Sequence, residues 1–358
     1  MRLAFYAPLK SPEHAVPSGD REIARNLLKA LRSIGATVTL ASELRSRDGQ
    51  GDAGKQAQIR ADAFGAIPNL VARGRAEAWQ AWVTYHNYYK APDLLGPTVS
   101  NALGIPYIQI ESTRARKRLS GPWAGFAKTA EQAADAADMI FFVTHRDAEA
   151  LERDAPKGQK LRHLPPFLPW EALPPQSTCI GPMLAVGMMR PGDKLASYSL
   201  IAQTLAHLPD SERHINLVGD GSARSDIAKL LQPFGTAARF CGQKSPEEMT
   251  AAYLDASLLL WPGVNEAFGL VYLEAQAHGL PVVAQDRPGV RDVLAPGPYP
   301  APEQGPAALA QVLRSYLDTA DKRRQQGAAA RAHVSAHHLL PAAAERLKSG
   351  LAELGVTA

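Results

Sequence analysis

The chain has 358 residues, 46% hydrophobic and 21% charged, which at about 100–200 residues per domain argues for two globular domains and excludes disordered, collagenous and coiled-coil chains. Its two cysteines, Cys179 and Cys241, stand in no Cys-x-x-Cys or Cys/His spacing, so neither a disulfide framework nor structural zinc is expected and a reducing compartment is the natural reading. No apolar run reaches the roughly 18 residues of a membrane span and no signal peptide shows, so the expectation is a soluble, cytoplasmic protein.

Net charge is +4 and unevenly spread: residues 1–175 carry 23 Lys/Arg against 18 Asp/Glu, and residues 176–358 carry 16 against 17. The excess peaks at Arg114, Arg116, Lys117 and Arg118. That cluster is either a solvated loop, the default for a short basic run, or a surface for an anionic lipid or acceptor.

In chain order, Leu3–Ala7 reads as a strand, followed by a Pro/Gly loop and a helix-period stretch from Asp20 to Ile34. The pattern repeats. Val38–Ala41, Trp82–Tyr85, Tyr107–Ile110, Met139–Val143 and Leu161–Leu164 read as buried strands with helical segments between most of them, hence a parallel sheet with crossovers. Residues 43–80 are polar, Arg-rich and poorly periodic, a candidate region for acceptor specificity. A proline-rich stretch follows, and the alternation then restarts with Met183–Val186, Ile215–Val218, Ala238–Phe240, Leu258–Trp261 and Val282–Gln285. The predicted organisation is an N-terminal Rossmann-like α/β domain over 1–165, a linker over 166–182, a second such domain over 183–340, and a C-terminal helix over 341–358 that packs back on the first domain. Ligands of such sheets bind at the carboxyl ends of the strands.

Three strand-to-helix turns of the second domain carry the candidate chemistry. In AVGMMRPGDKLASY (185–198), Gly187 is followed by Arg190 and Lys194 at a helix start, where cations and free amides suit a phosphate; a surface turn with two solvated charges fits equally. In LVGDGSARSD (217–226), Gly219 and Gly221 lack the third glycine of a dinucleotide fingerprint, Arg224 standing there, so a tight turn is preferred to an NAD site. In NEAFGLVYLEAQAHGLPVVA (265–284), Glu266 follows a strand, Phe268, Gly269 and Leu270 open a helix, and Glu274 lies further along it. A glycine at a helix N-terminus with a carboxylate on each side suits a phosphorylated polyol.

On the Glu266-x7-Glu274 element, the following AHGLPVVAQDRPGVRDV (277–293), LVGDGS and RFCGQKSPEEM (239–249), the chain resembles a family 4 glycosyltransferase of the GT-B fold, two Rossmann-like α/β/α domains facing each other across a cleft. The N-terminal half is similar less specifically, through residues 18–40, with Ser18 and Gly19 where the family has a Gly-Gly loop near the donor phosphates. The resemblance implies retaining, metal-independent sugar transfer from a nucleotide diphosphate sugar of the UDP or GDP type, a co-substrate rather than a resident cofactor. It implies that Glu266 holds donor-sugar hydroxyls, Glu274 the ribose, the backbone of Phe268–Leu270 the diphosphate with Lys194 as its counter-charge, and the segment around Gly242 the base. The implied partners are the donor and a sugar or lipid-linked acceptor, with no nucleic acid, and with peripheral contact to an anionic membrane through the N-terminal domain left open.

Departures are visible. Met188 stands where the family has arginine, with Arg190 as a proposed stand-in; Ala267 replaces a glycine; and Ser112, beside Glu111, stands where many members have a cleft histidine. His86, with Tyr85, Asn87 and Tyr88, is an acceptor-side candidate together with Glu111, against the plainer reading of a hydrogen-bonded strand-end histidine. His278 reads as packing, and Trp123, Trp170 and Trp261 as core or interdomain fillers. No Asp-x-Asp element for a divalent ion is present. The rival readings are a sugar phosphorylase, a nucleotide-sugar hydrolase, or a catalytically silent nucleotide-sugar binding subunit.

Overall fold

Each of the eleven expected strand segments carries a β-strand, and every pairing between them is parallel. The computed structural model describes residues 1–16 and 18–357. The chain divides into two compact units, the first formed by Met1–Pro165 with the stretch from Leu340 onward, the second by Pro166–Leu339.

The first unit contains Arg2–Tyr6 (β1), Thr37–Ser42 (β2), Ala81–Asn87 (β3), Tyr107–Ser112 (β4), Met139–Phe142 (β5) and Lys160–His163 (β6), in the sheet order β2-β1-β3-β4-β5-β6. Its helices are Gly19–Ser33 (α1), Ala53–Ala76 (α2), Gly96–Leu103 (α3), Ala124–Ala136 (α4) and His145–Asp154 (α5). β1 and β3 are buried almost throughout, as expected of strands covered on both faces. Residues 43–80 prove to be mostly helix, although their sequence shows no clean amphipathic period. The reason is a mixed buried face in α2: Gln56, Ile59, Ala63, Leu70 and Gly74 are its buried residues, and at Gly74 a Cβ would come within 2.5 Å of Leu103 and 2.8 Å of Trp79. Asp52 caps α2 by accepting from Lys55 N.

The second unit contains Met183–Val186 (β7), Ile215–Val218 (β8), Ala238–Gly242 (β9), Leu259–Leu260 (β10) and Val282–Val283 (β11), in the order β11-β10-β7-β8-β9. Its helices are Asp193–Ala206 (α6), Arg224–Leu231 (α7), Pro246–Leu254 (α8), Leu270–Ala277 (α9), Gly305–Leu317 (α10) and Ala320–His337 (α11). The stretch 166–182 has no helix or strand but packs on this unit. Cys179 is fully buried, and Ser177 Oγ donates to Ala256 O at 2.9 Å.

The last helix, Leu340–Glu353 (α12), belongs to the first unit. It packs against α1, and Gly350 sits on Phe141 so closely that a Cβ would lie 2.4 Å from the ring. Glu353 accepts from Arg162 Nε at 3.0 Å and Nη2 at 2.6 Å, while its carbonyl accepts from Lys160 Nζ.

Candidate functional site

Strand order reverses in the second unit between β7 and β10, and in open α/β sheets ligands collect outside the carboxyl ends at such a switch point. The loops leaving β7 and β10 carry Gly187–Lys194 and Trp261–Gly269. Gly187 admits no side chain, because a Cβ would lie 2.5 Å from the Trp261 ring, and its carbonyl accepts from Tyr198 OH at 2.7 Å. Lys194, in the first turn of α6, donates to Glu266 Oε1, which also accepts from Trp261 Nε1 at 3.0 Å. The ammonium stands 5.2 Å from the Trp261 ring centroid. Two further bonds tie this loop to α6: Asn265 Nδ2 to Asp193 Oδ1 at 2.8 Å, and Val264 N to Ser197 Oγ at 3.1 Å. Lys194 and Glu266 therefore meet across the switch point, held from both sides.

Phe268 is buried, Gly269 takes φ 81° at the N-cap of α9, and no side chain caps the amides opened by Leu270. One turn on, Glu274 accepts from Tyr253 OH at 2.6 Å. Burial pushes its carboxyl above the usual range, and the tyrosine hydroxyl pulls it partly back. Gly242, at φ 68°, closes β9, its carbonyl accepting from Gly219 N at 2.8 Å. Gly219 and Gly221 serve close backbone approach: a Cβ on the first would fall 2.0 Å from Gly187 O and on the second 2.3 Å from Met189 O. The Gly-x-Gly thus locks two strand ends together, as the tight-turn reading expects.

Arg190 does not join this constellation. It is exposed, and its side chain has no hydrogen bond or ion pair with any described residue; Met188, two residues earlier, is 51% exposed. Ala267 is not among the residues with positive φ, so its methyl is free of strain there; the left-handed backbone falls instead on Asn265, at φ 49°.

The first unit has its own switch point, between β1 and β3. His86, at φ 67°, and Glu111, at φ 58°, each stand one residue before the end of their strand, β3 and β4. Left-handed backbone at two adjacent strand ends is costly for residues with a Cβ and marks a site the surrounding structure holds in place. His86 Nδ1 lies 3.3 Å from Asp20 Oδ1 and 4.0 Å from Glu111 Oε1, and its ring packs against those of Tyr85 and Tyr88. Burial alone would lower His86, but the carboxylates of Glu111, Asp20 and Asp147 outweigh it and raise the imidazole above its usual value. Burial raises Glu111, with Asp147 and Asp20 adding to it and His86 and Tyr85 opposing. The neighbouring His86 imidazole holds Asp20 low, against the opposing effect of burial. Gly19, immediately before Asp20, is exposed, with open space where a Cβ would stand. Ser112 is buried, its Oγ 3.3 Å from Asn87 Nδ2, so it takes no part in the cluster and Glu111 presents the carboxylate beside it.

A raised histidine contributes stability that is full below its unfolded value near 6.5 and is lost as pH rises through its folded value. The difference in Tm between the wild type and His86→Asn, asparagine being tolerant of left-handed backbone, is accordingly expected to be largest near pH 5–6 and to shrink toward pH 8–9. A difference that stays constant over that range, followed by thermal unfolding, would remove the ion-pair account.

Several participants escaped the sequence reading. Trp261 was assigned to a core or interdomain contact; it is fully buried, but its indole N–H also orients Glu266. Tyr253 reads in sequence as an ordinary core aromatic. Asp20 looks like a routine acid in a helix first turn, and Asp147 like an N-terminal acid of α5. Gly289 is required at the site loop, since a Cβ there would fall 1.8 Å from Ala267 O. Of these, Trp261 lies directly after a strand, β10, and that position was the one local signal.

Residues 193–333 match the family model of the glycosyl transferases group 1. A D-inositol 3-phosphate glycosyltransferase of Corynebacterium diphtheriae is 34% identical over 157 residues, 42% of this chain and 36% of that protein. Sucrose-phosphate synthase from Thermosynechococcus elongatus is similar over 100% of both chains, with TM-score 0.70 and 18% identity. The Anabaena HepE protein in complex with UDP-glucose is similar over 99% of this chain and 100% of that one, with TM-score 0.67 and 16% identity. The chain has the GT-B fold of these two structures, and its second unit is similar in sequence to the glycosyl transferases group 1. It spans less than half the length of the curated relatives it matches.

Proposed function

We propose that the chain is a retaining, metal-independent glycosyltransferase that moves a hexosyl-type sugar from a nucleotide diphosphate sugar, of the UDP or GDP type, to a hydroxyl of a glycan, lipid or small-molecule acceptor. The observation that carries the reading is the Lys194–Glu266–Trp261 constellation at the switch point of the second unit, beside the uncapped N-terminus of α9. Departure of a nucleoside diphosphate builds negative charge on its oxygens while the sugar becomes cation-like, and a fixed ammonium with free helix amides stabilises that charge. Glu266 would receive the donor-sugar hydroxyls, releasing Lys194 to the diphosphate, and Glu274 would receive the ribose. Gly187 and Gly242 would leave room for the phosphates and base. In the first unit, His86 and Glu111 are the acceptor-side candidates, and Gly19 opens α1 next to them.

The direct test is sugar transfer from UDP- and GDP-sugars with and without acceptor, the anomer of the product being read by NMR. A thermal-shift panel of the nucleotides identifies the base, since a ligand at 100 times its Kd stabilises by about 2.7 kcal/mol. Product of inverted configuration overturns the retaining mechanism, and nucleotide release that needs no acceptor points to hydrolysis. Met188 at the family's arginine position favours one alternative, a nucleotide-sugar binding subunit without turnover; stabilisation by a nucleotide sugar with no transfer to any acceptor would establish it.

Activity is expected to survive excess EDTA. Among the described residues no group of three or more His, Cys, Asp or Glu side chains is arranged to hold a metal ion, and the leaving charge has Lys194 and the helix amides available instead. An absolute requirement for magnesium or manganese would sink the metal-free part of the reading.

A further inference from the structure

Beside the His86/Glu111 cluster the first unit has a cavity of about 550 Å³, within the 300–1,000 Å³ typical of small-ligand sites. Thr113, just after β4, lines it, and so does Asp147, whose charge reaches both His86 and Glu111. The cavity therefore opens at the same strand ends as the cluster. Six cationic side chains line it against two acidic ones. They come from two elements distant in sequence, the segment after β4 and helix α5, so the fold assembles a concentration of charge that neither segment shows by itself.

The cations differ in how they are held. Arg114 points inward and is neutralised by Glu131 at 2.8 Å and Asp135 at 2.7 Å, with its side chain 3% exposed. It is a structural residue, which corrects the view of 114–118 as one uniform basic surface. Arg116 and Arg153 share Asp154. Lys117, Arg118 and Arg146 have no carboxylate partner among the described residues. Arg118 is fixed all the same, its guanidinium carbon 5.1 Å from the Tyr89 ring centroid and 5.9 Å from that of Trp123, and Trp123 is anchored through Nε1 to Asp48 O.

Three uncompensated cations in one concavity repel one another within a screening length of about 8 Å, and an anion seated among them relieves the repulsion. Guanidinium groups presented on a rigid wall with a nearby ammonium are suited to the several oxygens of a phosphate. We infer that this cavity binds a phosphate group carried by the acceptor, with Lys117, Arg118 and Arg146 as its ligands. The inference rests on the acceptor reading of the first unit given above and narrows the acceptor class to phosphorylated molecules, soluble or lipid-borne. With the phosphate seated there, an acceptor hydroxyl is delivered toward His86 and Glu111.

The test uses the full chain, with inorganic phosphate and sn-glycerol 3-phosphate as soluble probes in calorimetry at fixed ionic strength, and phosphatidylcholine vesicles with and without phosphatidic acid in sedimentation. The double variant Lys117→Ser/Arg146→Ser spares the buried Arg114 network, and Lys55→Ser/Lys157→Ser removes the same charge from exposed positions elsewhere. The expected result is saturable binding of a soluble probe, weakened at least about tenfold in the first double variant and under about twofold in the second. Binding only to the phosphatidic acid vesicles, with the same pattern of loss, identifies a bilayer-borne phosphate and supports the same site. No binding of any probe, or equal loss in both double variants, overturns it. Stabilisation by UDP and GDP is measured on the same samples; its absence would count against the donor reading and leave the phosphate result standing.

Discussion

Lys194→Ala is expected to lower kcat/KM for sugar transfer by about 100-fold or more, near 2.7 kcal/mol, with the loss falling mainly on kcat. In the proposed transfer, charge would accumulate on the leaving diphosphate during bond cleavage, so the ammonium would stabilise the transition state more than the bound donor. The structure sharpens the comparison with Arg190. Lys194 is held by Glu266 and stands over Trp261, whereas Arg190 is exposed, with no side-chain partner among the described residues. Arg190→Ala is therefore expected to cost less than about tenfold. Equal, severe losses in both would show that Arg190 swings into the site when donor binds. Full activity in Lys194→Ala would place the phosphate elsewhere and end the carry-over from the family at this turn.

Gly289→Ala is expected to destabilise the chain by roughly 2–4 kcal/mol and to reduce transfer as well. Its backbone has φ 82°, and the added methyl would meet Ala267 O at 1.8 Å and Glu266 O at 3.5 Å. These are main-chain atoms, so the clash is relieved only by moving the loop that carries Glu266. The control is Gly65→Ala, inside α2 with open space around its Cβ, where exchanging glycine for alanine in a helix is expected to leave stability unchanged or raise it by about 0.5–1 kcal/mol. Urea unfolding of the two variants checks both statements. A Gly289→Ala protein as stable as the wild type would mean that the site loop is free to shift.

The parallel arrangement of the sheets was legible because strands buried on both faces leave short, continuous apolar runs such as MLAV and MIFF, which survive without any knowledge of their neighbours. The GT-B class was legible because its recognisable turns are contiguous: Glu266 to Glu274 lies within one loop and one helix. Residues 43–80 were less so, since the buried face of α2 mixes Gln56 and Gly74 with Ile59, Ala63 and Leu70, and the role of Gly74 depends on Leu103 of α3. Gly289 was in view within a quoted motif, but nothing local says that it lies against Ala267.

From the sequence alone came the two α/β domains, the family resemblance, and the short list of turns where chemistry would sit, because each depends on residues within a few positions of one another. Tertiary structure alone decided the partnerships. Lys194 meets Glu266 across 72 residues, Asp20 meets His86, and the segment after β4 shares a cavity with α5. It also separated Arg190 from the constellation and turned Arg114 inward. Those outcomes depend on strand order and on which side chains the sheets bring to one edge, and the electrostatic energy of a charge is set by its neighbours in space and its exposure to water rather than by its neighbours in the chain.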